Sequence, residues 1–202
     1  MTDKQTIRDR IRAIRESQDD VSRTEKSEAI CRNLLSLDLF SSDNVKRRRI
    51  ALYCSHKGEP DTLGMFTVLS GYGAECFFPI VKGHHILMGK NSEEQPGYTG
   101  FRAGELGIPE PEQSADEHTR MDIIIIPGIA FSVDGHRIGY GKGYYDKYIS
   151  FYRSGQIPPL VAPAFEFQVV PGIVPSVHDI PVDVIVTEKR IIYTGARNGI
   201  RA

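Results

Sequence analysis

The sequence predicts an α/β fold of three layers, in which a largely parallel central sheet carries helices on both faces. Short apolar runs alternate with amphipathic segments along most of the chain, and this alternation is typical of βαβ units. Residues 123–126 are four consecutive isoleucines, which indicates a central strand covered on both sides. The 202 residues suit one domain spanning residues 1–202, and a chain of this length buries on the order of 70% of its unfolded surface.

Helical spacing and capping signals predict four helices. Isoleucines at helical spacing predict the first, over residues 3–17. Arginines occupy most positions between these isoleucines; the two sets are Ile7, Ile11, Ile14 and Arg8, Arg10, Arg12, Arg15. Ser22 and Glu25 form a capping-box pattern that predicts the start of the second helix. The third helix is expected to start at the capping residue Asp61, and the fourth to span residues 144–152.

Apolar runs predict five strands of the sheet, an edge strand and a last strand. The five runs are residues 50–54, 75–79, 123–126, 160–162 and 184–186; the edge strand is expected at residues 86–88 and the last strand at residues 191–193. Residues 90–120 are rich in glycine, proline and acids, which predicts a long ordered loop. Ligands of such sheets bind beyond the carboxyl ends of the strands, so a site is expected in the loops that follow the strands.

Composition narrows the class of protein. Lys and Arg number 25 against 26 Asp and Glu, a net charge of −1, whereas nucleic-acid-binding proteins usually carry a basic excess. The one basic run, residues 45–49, is interpreted as a solvated segment. Apolar runs are too short to span a membrane, and the polar N-terminus does not resemble a secretory signal. The three cysteines, Cys31, Cys54 and Cys76, lack metal-site spacing, so we expect reduced thiols in a cytoplasmic protein.

A glycine-rich loop follows the central strand and has the composition of a phosphate site. Gly139, Gly141 and Gly143 remove three Cβ atoms within five residues, so backbone N–H groups can turn toward a ligand. The N-terminus of the fourth helix and the ammonium of Lys142 would add positive charge. The spacing fits neither the P-loop nor the dinucleotide-binding pattern. The alternative interpretation is a tight structural turn with an exposed lysine.

A carboxylate close to this loop suggests a bound cation. Asp146 lies one helical turn from Lys142, where it would repel phosphate unless a cation such as Mg²⁺ stood between them. A second acid would be needed, and Asp179 and Asp183 are the candidates. The alternative is that Asp146 caps the helix or pairs with Lys142.

Together, these motifs resemble the 5-formyltetrahydrofolate cyclo-ligase family, also called methenyltetrahydrofolate synthetases. The resemblance extends from Lys4 to Thr187 and depends on motifs in the family's order. They are Lys-x-x-x-Arg at residues 4–8, the Glu-x-x-Thr segment at 59–62, the signature at 127–131 and 135–146, Gln168, and the closing motifs at 178–188. The chain departs from the pattern at Tyr140, where some members carry Arg.

The resemblance implies an ATP-dependent cyclisation of 5-formyltetrahydrofolate to 5,10-methenyltetrahydrofolate, with ADP and phosphate released. It implies Mg²⁺ as cofactor, ATP as co-substrate, and small-molecule partners only, including polyglutamylated folates. We expect a monomer that binds neither nucleic acid nor membrane.

The resemblance also implies roles for particular residues. Lys142 and Arg137 would be catalytic, and Asp146 and Asp179 would hold Mg²⁺. ATP would contact Lys4, Gln5, Thr6, Ile7, Arg8, Arg137, Ile138, Gly139, Tyr140, Gly141, Lys142, Gly143, Tyr144 and Tyr145. The folate would contact Cys54, Glu59, Tyr140 and Tyr144. A carboxylate can accept both adjacent N–H groups of a pterin, which is the role expected of Glu59; the alternative is an ordinary loop acid.

Two other functions remain open from the sequence. The first is a phosphotransferase that uses the same loop on another small acid, and the second is a non-catalytic paralogue that binds folate or nucleotide. A nucleic-acid module has only residues 46–49 in its favour.

Overall fold

The chain folds into alternating helices and strands in the computed structural model, which describes residues 3–91, 100–112, 119–154, 156–177 and 179–197. The α-helices are α1 (Lys4–Glu16), α2 (Asp20–Leu35), α3 (Ser42–Val45), α4 (Leu63–Gly71) and α5 (Tyr144–Ser150). The strands are β1 (Arg49–Ala51), β2 (Glu75–Lys82), β3 (His85–Lys90), β4 (Phe101–Ala103), β5 (Pro109–Pro111), β6 (Ile123–Ile125), β7 (Ala130–Phe131), β8 (Arg137–Ile138), β9 (Leu160–Pro163), β10 (Val184–Val186) and β11 (Ile191–Tyr193).

Seven of these strands form the central sheet, in the order β11-β10-β9-β6-β1-β2-β3. The five inner strands are parallel, and β3 and β11 pair antiparallel at the two edges. The predicted α/β class with a largely parallel sheet is confirmed. The chain leaves β1 toward β2 and leaves β6 toward β9, on opposite sides, so the crevice between the β1 and β6 ends is the switch point where such sheets bind ligands.

The core divides between the two faces of the sheet, because successive side chains of a strand point in opposite directions. Ile50, Ile123 and Ile125 belong to a cluster that includes side chains of α2 and α4. Ala51 and Ile124 belong to a second cluster, which includes Tyr148 and Ile149 of α5. Helices therefore cover both faces. No helix within the described ranges is long and apolar enough to cross a membrane.

Helix α1 packs against the β7–β8 hairpin and its neighbours. Ile7 and Ile11 form a third cluster with Ile129, Ala130 and Ile138, and with Val170 and Ile173. The short strands β7 and β8 lie within the loop that follows β6. The first helix of the chain is therefore held at the switch point.

Most element boundaries differ from the predictions by one to three residues, and the differences at α2, α4 and β1 have identifiable causes. Helix α2 starts at Asp20, because the side chain of Asp19 caps it by accepting a hydrogen bond from the Ser22 N–H at 2.8 Å. Asp and Ser are equally good N-cap residues, and capping by Asp19 makes the helix start two residues earlier than predicted. Helix α4 starts at Leu63, and Asp61, two residues earlier, accepts the Leu63 N–H at 3.0 Å. Strand β1 ends at Ala51, since Leu52 makes the last ladder bond, to Phe77.

The predicted long loop at residues 90–120 contains structure of its own. Strand β3 extends to Lys90, and β4 and β5 pair antiparallel as a hairpin. Glu110 of β5 accepts the Val81 N–H of β2 at 3.1 Å, which ties the hairpin to the edge of the sheet. The rest of this prediction, residues 92–99 and 113–118, lies outside the described residues.

Candidate functional site at the β1–β6 switch point

Two loops meet beyond the carboxyl ends of the neighbouring parallel strands β1 and β6. The loop after β1 carries Glu59, and the longer loop after β6 carries the β7–β8 hairpin and the glycines at 139, 141 and 143. Helix α1 packs against the hairpin, and its side chains Lys4 and Arg8 donate to Asp179 and to the Gly139 carbonyl. The fold thus places all three sequence motifs at the position where ligands bind in such sheets.

The glycine loop exposes its lysine. Gly141 and Gly143 have φ angles of 94° and 66°, values that side chains other than glycine rarely adopt, and Gly143 directly precedes α5. Lys142 between them is exposed, and its ammonium forms no hydrogen bond or ion pair with any residue the structure describes. The proposed pairing of Lys142 with Asp146 is therefore not formed.

Helix α1 is fastened to this loop through a basic side chain. Arg8 Nε donates to the Gly139 carbonyl at 3.0 Å, and Arg8 Nη1 lies 3.4 Å from Gln5 Oε1. Ile7 and Ile138 are buried against each other in the third cluster, so any contact they make with a ligand must come from their backbone. Thr6 is exposed on the outer face of the helix.

Arg137 reaches the first of the two predicted metal ligands. Its side chain is 6% exposed, and Nη2 donates to Asp146 Oδ1 at 2.9 Å. A Cβ at residue 139 would lie 2.9 Å from Arg137 Nη1, so a side chain at this position would displace the guanidinium. The guanidinium also lies over the Tyr145 ring, at 6.0 Å from its centroid.

Lys4 reaches the second predicted metal ligand. Its ammonium donates to Asp179 Oδ2 at 2.7 Å and to Ser176 Oγ at 3.0 Å. Burial acts to raise the pKa of Asp179, but the hydrogen bonds from Lys4 and the Ser176 N–H, with the charges of Lys4 and Arg137, outweigh it and lower that pKa. Asp179 and Asp146 thus flank Arg137. His178 lies outside the described residues.

Asp146 and Asp179 are half-buried carboxylates. Mg²⁺ is typically held by one or two carboxylates together with substrate phosphates and water, so these two side chains could hold it only with a phosphate ligand. The described residues contain no cluster of three or more His, Cys, Asp or Glu side chains that could hold a metal by themselves. Asp183, the other candidate acid, is buried and accepts bonds from the Leu160 N–H at 2.7 Å and from Arg197, which gives it a structural role.

Glu59, in the loop after β1, is a buried carboxyl group. Its side chain is 5% exposed; Oε1 accepts a 2.5 Å hydrogen bond from the Tyr140 hydroxyl, and Oε2 accepts the His56 N–H at 3.0 Å. Burial raises the pKa of Glu59, and the Arg15 charge, the Tyr140 bond and the His56 N–H each act to lower it. A buried carboxylate with fixed donors is not an ordinary loop acid.

Arg15 is the residue that the sequence analysis missed. Its Nη2 donates to the Tyr140 hydroxyl at 2.9 Å and lies 3.8 Å from Glu59 Oε1. It occupies the buried face of α1 at the position that continues the i, i+4 spacing of Ile7 and Ile11. A basic residue in an apolar register was the available signal.

The remaining predicted folate contacts are placed as follows. Cys54 is buried in the α2–α4 cluster, and Tyr144 donates through its hydroxyl to the Gly83 carbonyl at 3.2 Å. Tyr140 is 38% exposed although its hydroxyl is bonded to buried groups. Glu59 also lines a cavity of about 670 Å³ between α2, residues 55–61 and α4, and the described lining of that cavity does not include Cys54, Tyr140 or Tyr144.

Comparison with known proteins gives a consistent result. The model of the 5-formyltetrahydrofolate cyclo-ligase family matches residues 1–188. A 5-formyltetrahydrofolate cyclo-ligase of Saccharomyces cerevisiae is 30% identical, over 92% of this chain and 95% of that protein. The solution structure of Aquifex aeolicus 5,10-methenyltetrahydrofolate synthetase superposes with a TM-score of 0.78 and 30% identity, covering 98% of this chain and 96% of that one. A Mycoplasma pneumoniae synthetase, at 22% identity and a TM-score of 0.70 over 93% and 99% of the two chains, shares the fold.

Proposed function

Because this chain belongs to the 5-formyltetrahydrofolate cyclo-ligase family, a family of ligases, we propose that it converts 5-formyltetrahydrofolate and ATP to 5,10-methenyltetrahydrofolate, ADP and phosphate. The main support for the proposal is that the loops carrying Lys142 and Glu59, a cation and a carboxyl group, lie at the same switch point. Lys142 offers an exposed cation on a glycine loop, and Glu59 offers a buried, oriented carboxylate. The first suits a polyphosphate and the second suits the adjacent N–H groups of a pterin.

The reaction we propose proceeds in two steps. The formyl oxygen attacks the γ-phosphorus of ATP; an O–P bond forms, and the bond from that phosphorus to the bridging oxygen breaks to give ADP. The N10 nitrogen then attacks the formyl carbon and loses its proton, and phosphate leaves with the electrons of the C–O bond. Phosphorylation is needed because an amide-like oxygen is a poor leaving group. The protein mainly has to hold two anionic substrates in line and stabilise moving charge.

The cations of the site suit the phosphate transfer. The Lys142 ammonium would follow the γ-phosphate, since the glycines on either side permit the loop to approach it closely. Arg137 would stabilise the same charge from the buried side, where a guanidinium acts more strongly than in water. Lys4 and Arg8 would contact the phosphates from α1, which is already bonded to the loop through Gly139.

Asp146 and Asp179 would hold Mg²⁺ together with the phosphates, and the ion would supply charge neutralisation between ATP and these carboxylates. Each carboxylate is bonded to a protein cation, Arg137 or Lys4. We propose that these two cations transfer to the phosphates when the nucleotide binds, because the phosphates offer them a stronger acceptor.

Glu59 would bind the pterin. Each carboxylate oxygen has two lone pairs, and one on each is used, by Tyr140 and by the His56 N–H. One lone pair on each oxygen remains, which matches two adjacent N–H donors. Tyr140 links this carboxylate to the glycine loop, so the two substrate positions are joined by a single side chain.

Beyond the reaction, we propose a cytoplasmic, monomeric enzyme of one domain that acts on small molecules without binding nucleic acid. The balanced charge of the chain supports the last point. Light scattering of the purified protein measures the mass directly, and a dimer would contradict the proposal.

The function is tested by incubating purified protein with 5-formyltetrahydrofolate and MgATP. The conjugated methenyl product absorbs at a longer near-ultraviolet wavelength than the substrate, so absorbance should rise only when both substrates are present. Consumption of ATP without folate would indicate a phosphotransferase for another acid. Folate binding without turnover would indicate a non-catalytic paralogue.

A further inference from the structure

Arg15 is a charged side chain in the interior of the protein, at a place where a charge is costly. Its side chain is 1% exposed, and it extends the buried face of α1 that Ile7 and Ile11 begin. An isolated buried guanidinium destabilises a fold unless hydrogen bonds and an opposite charge compensate it. The groups that bond to Arg15 therefore indicate its role.

All the side-chain hydrogen bonds that Arg15 makes with described residues go to the turn at residues 56–58 and to Tyr140. Its Nη2 donates to the carbonyls of His56 at 3.2 Å and Lys57 at 3.0 Å, and to the Tyr140 hydroxyl at 2.9 Å. Nε and Nη1 are buried and make no hydrogen bond within the described part of the chain. Compensation for the charge thus comes from the turn that carries Glu59 and from Glu59 itself, 3.8 Å away.

The turn at residues 56–58, whose carbonyls accept hydrogen bonds from Arg15, has an unusual backbone conformation. Lys57 has a φ of 49° and Gly58 a φ of 72°, so two consecutive residues lie in the left-handed region just before Glu59. A Cβ at residue 58 would lie 3.4 Å from the carbonyl oxygen of Arg15, so the turn is closed against α1. The bonds from Arg15 to the carbonyls of this turn hold it in that conformation.

We infer that Arg15 is a positioning residue for folate: it holds the Glu59 carboxylate as an oriented anion, directly through its charge and indirectly through Tyr140 and the residue 56–58 turn. The inference rests on the proposed function and deepens it. Tyr140 accepts from Arg15 and donates to Glu59, which fixes the direction of Glu59 Oε1. The free lone pairs of the carboxylate are then aimed at one place before any substrate arrives.

Charge supports the same role. Several titratable or charged groups among the described residues face Glu59 or share its cavity. They are Arg15 of α1, Arg23, Glu28, Cys31 and Arg32 of α2, Tyr53 after β1, His56 and Lys57 of its own turn, Asp61, Tyr140 of the glycine loop and Tyr145 of α5. Burial raises the pKa of Glu59, and Arg15 is the strongest of the influences that lower it. Removing Arg15 therefore raises this pKa further, so less carboxylate is present at a given pH.

The experiment compares three variants with a matched control. Arg15→Met removes the charge and keeps a side chain of similar length. Arg15→Lys keeps the charge but replaces the planar guanidinium by an ammonium. Tyr140→Phe removes only the hydroxyl group. Arg10→Met is the control, because Arg10 is on the same helix, exposed, and without a hydrogen bond or ion pair to a described residue. Affinity for 5-formyltetrahydrofolate is measured without ATP across pH, and kcat and both KM values are measured in the coupled reaction.

Arg15→Met should weaken folate binding about 10- to 100-fold at neutral pH and move its acid limb upward by about one pH unit or more, since an opposite charge at this distance shifts a carboxylate by one to three units. The KM for ATP should change less than about threefold. Arg15→Lys should weaken folate binding about 3- to 10-fold with the acid limb near its wild-type position, because the charge remains and the fork is lost. Tyr140→Phe should fall in the same range, and Arg10→Met should match wild type.

A folate affinity and pH profile unchanged in Arg15→Met, or an equal loss of folate and ATP binding, would overturn the inference. If circular dichroism shows that Arg15→Met does not fold, Arg15→Lys and Tyr140→Phe test the inference instead. Wild-type folate affinity in both of these variants would contradict it. If wild type binds folate without turnover, the proposed reaction fails and the binding titrations still test Arg15. If the wild-type protein binds no folate, the proposed function and the role of Arg15 are both wrong.

Discussion

The two ends of the site are built in opposite ways. At the phosphate end, which comprises Lys4, Arg8, Arg137, Lys142, Asp146 and Asp179, the charged groups form separate ion pairs, and the lysine of the glycine loop has none with a described residue. At the pterin end, which comprises Arg15, Glu59, Tyr140 and His56, the groups form one connected network. The side chains of Asp146 and Asp179 are 29% and 23% exposed, whereas those of Arg15 and Glu59 are 1% and 5% exposed.

This difference indicates how each substrate would be received. Water reaches both partners of the Lys4–Asp179 pair, and such ion pairs are weak and easily exchanged for a stronger partner, so this part of the phosphate end can rearrange around ATP. At the pterin end, the side chains of Arg15 and Glu59 are shielded from water and joined through the Tyr140 hydroxyl, so the carboxylate can be oriented before the folate arrives. Substitutions at the phosphate end should change turnover and metal dependence, and those at the pterin end should change affinity.

The largest effect is expected from Lys142→Ala at the phosphate end. Removing a charge that stabilises the transferring phosphate should lower kcat by about 100- to 1,000-fold. Folate affinity should change little, because Lys142 makes no contact with the pterin-end network within the described residues. Arg at this position should restore part of the rate, since the guanidinium is larger and differently hydrated.

The control for this substitution is Lys189→Ala, an exposed lysine after β10. Circular dichroism melting should give both variants the wild-type unfolding temperature. Normal turnover of Lys142→Ala would show that the loop is only a structural turn and would remove the contrast between the two ends.

Glu59→Gln tests the pterin end, where we expect the substitution to lower the affinity for folate and not the rate of turnover. The amide keeps the size but replaces one acceptor by a donor, which faces a pterin donor and leaves a buried group unpaired at a cost of roughly 2–4 kcal/mol. Apparent folate affinity should fall about 30- to 1,000-fold at 1.4 kcal/mol per decade. ATP affinity should move little; both constants are measured in the same variant. A loss confined to ATP would place Glu59 at the wrong end.

The residues of the proposed phosphate end are easier to group from the sequence than those of the proposed pterin end, for a physical reason. Glycine spacing, Lys142 and Asp146 lie within eight residues of one another, so local sequence is enough to suggest a site. The pterin-end network joins residues 81 and 125 positions apart, because Tyr140 bonds to Glu59 and to Arg15. Contacts of that separation are set by the order of the strands, which periodicity does not reveal.

The fold followed the same rule. Strands buried on both faces, such as Ile123–Ile125, were found from their apolar runs alone, and the predicted strand at residues 184–186 matches the structure. The start of α2 was wrong by two residues, since Asp19 and Ser22 are caps of equal quality and only the structure chooses between them. The ion partners of Asp146 and Asp179, Arg137 and Lys4, come from other elements and were not predicted.

Asp146→Asn sharpens the comparison through the metal. If Asp146 holds Mg²⁺ with the phosphates, the Mg²⁺ concentration for half-maximal rate should rise about tenfold, which corresponds to about 1.4 kcal/mol of lost ion binding. Asp134→Asn is the matched control, because Asp134 is exposed in the same connection between β6 and α5. Glu59→Gln should leave the Mg²⁺ requirement unchanged. An unaltered requirement in both Asp146→Asn and Asp179→Asn would remove these carboxylates from the metal site.

The smallest effect is expected on the stability of the ligand-free protein, from Asp179→Asn. The pKa of Asp179 is lowered in the folded state, because the bonds from Lys4 and Ser176 outweigh burial. A carboxyl of lowered pKa contributes stability above its unfolded pKa of about 4 and loses that contribution as pH falls through the folded value. Since the pair is partly exposed and screened, the contribution at pH 7 should stay below about 1 kcal/mol. Urea unfolding of wild type and variant should therefore differ slightly at pH 7 and converge as the pH drops below about 3. A gap that persists in acid would mean that Asp179 supports the fold through its shape, and the phosphate end would then be less exchangeable than its exposure indicates.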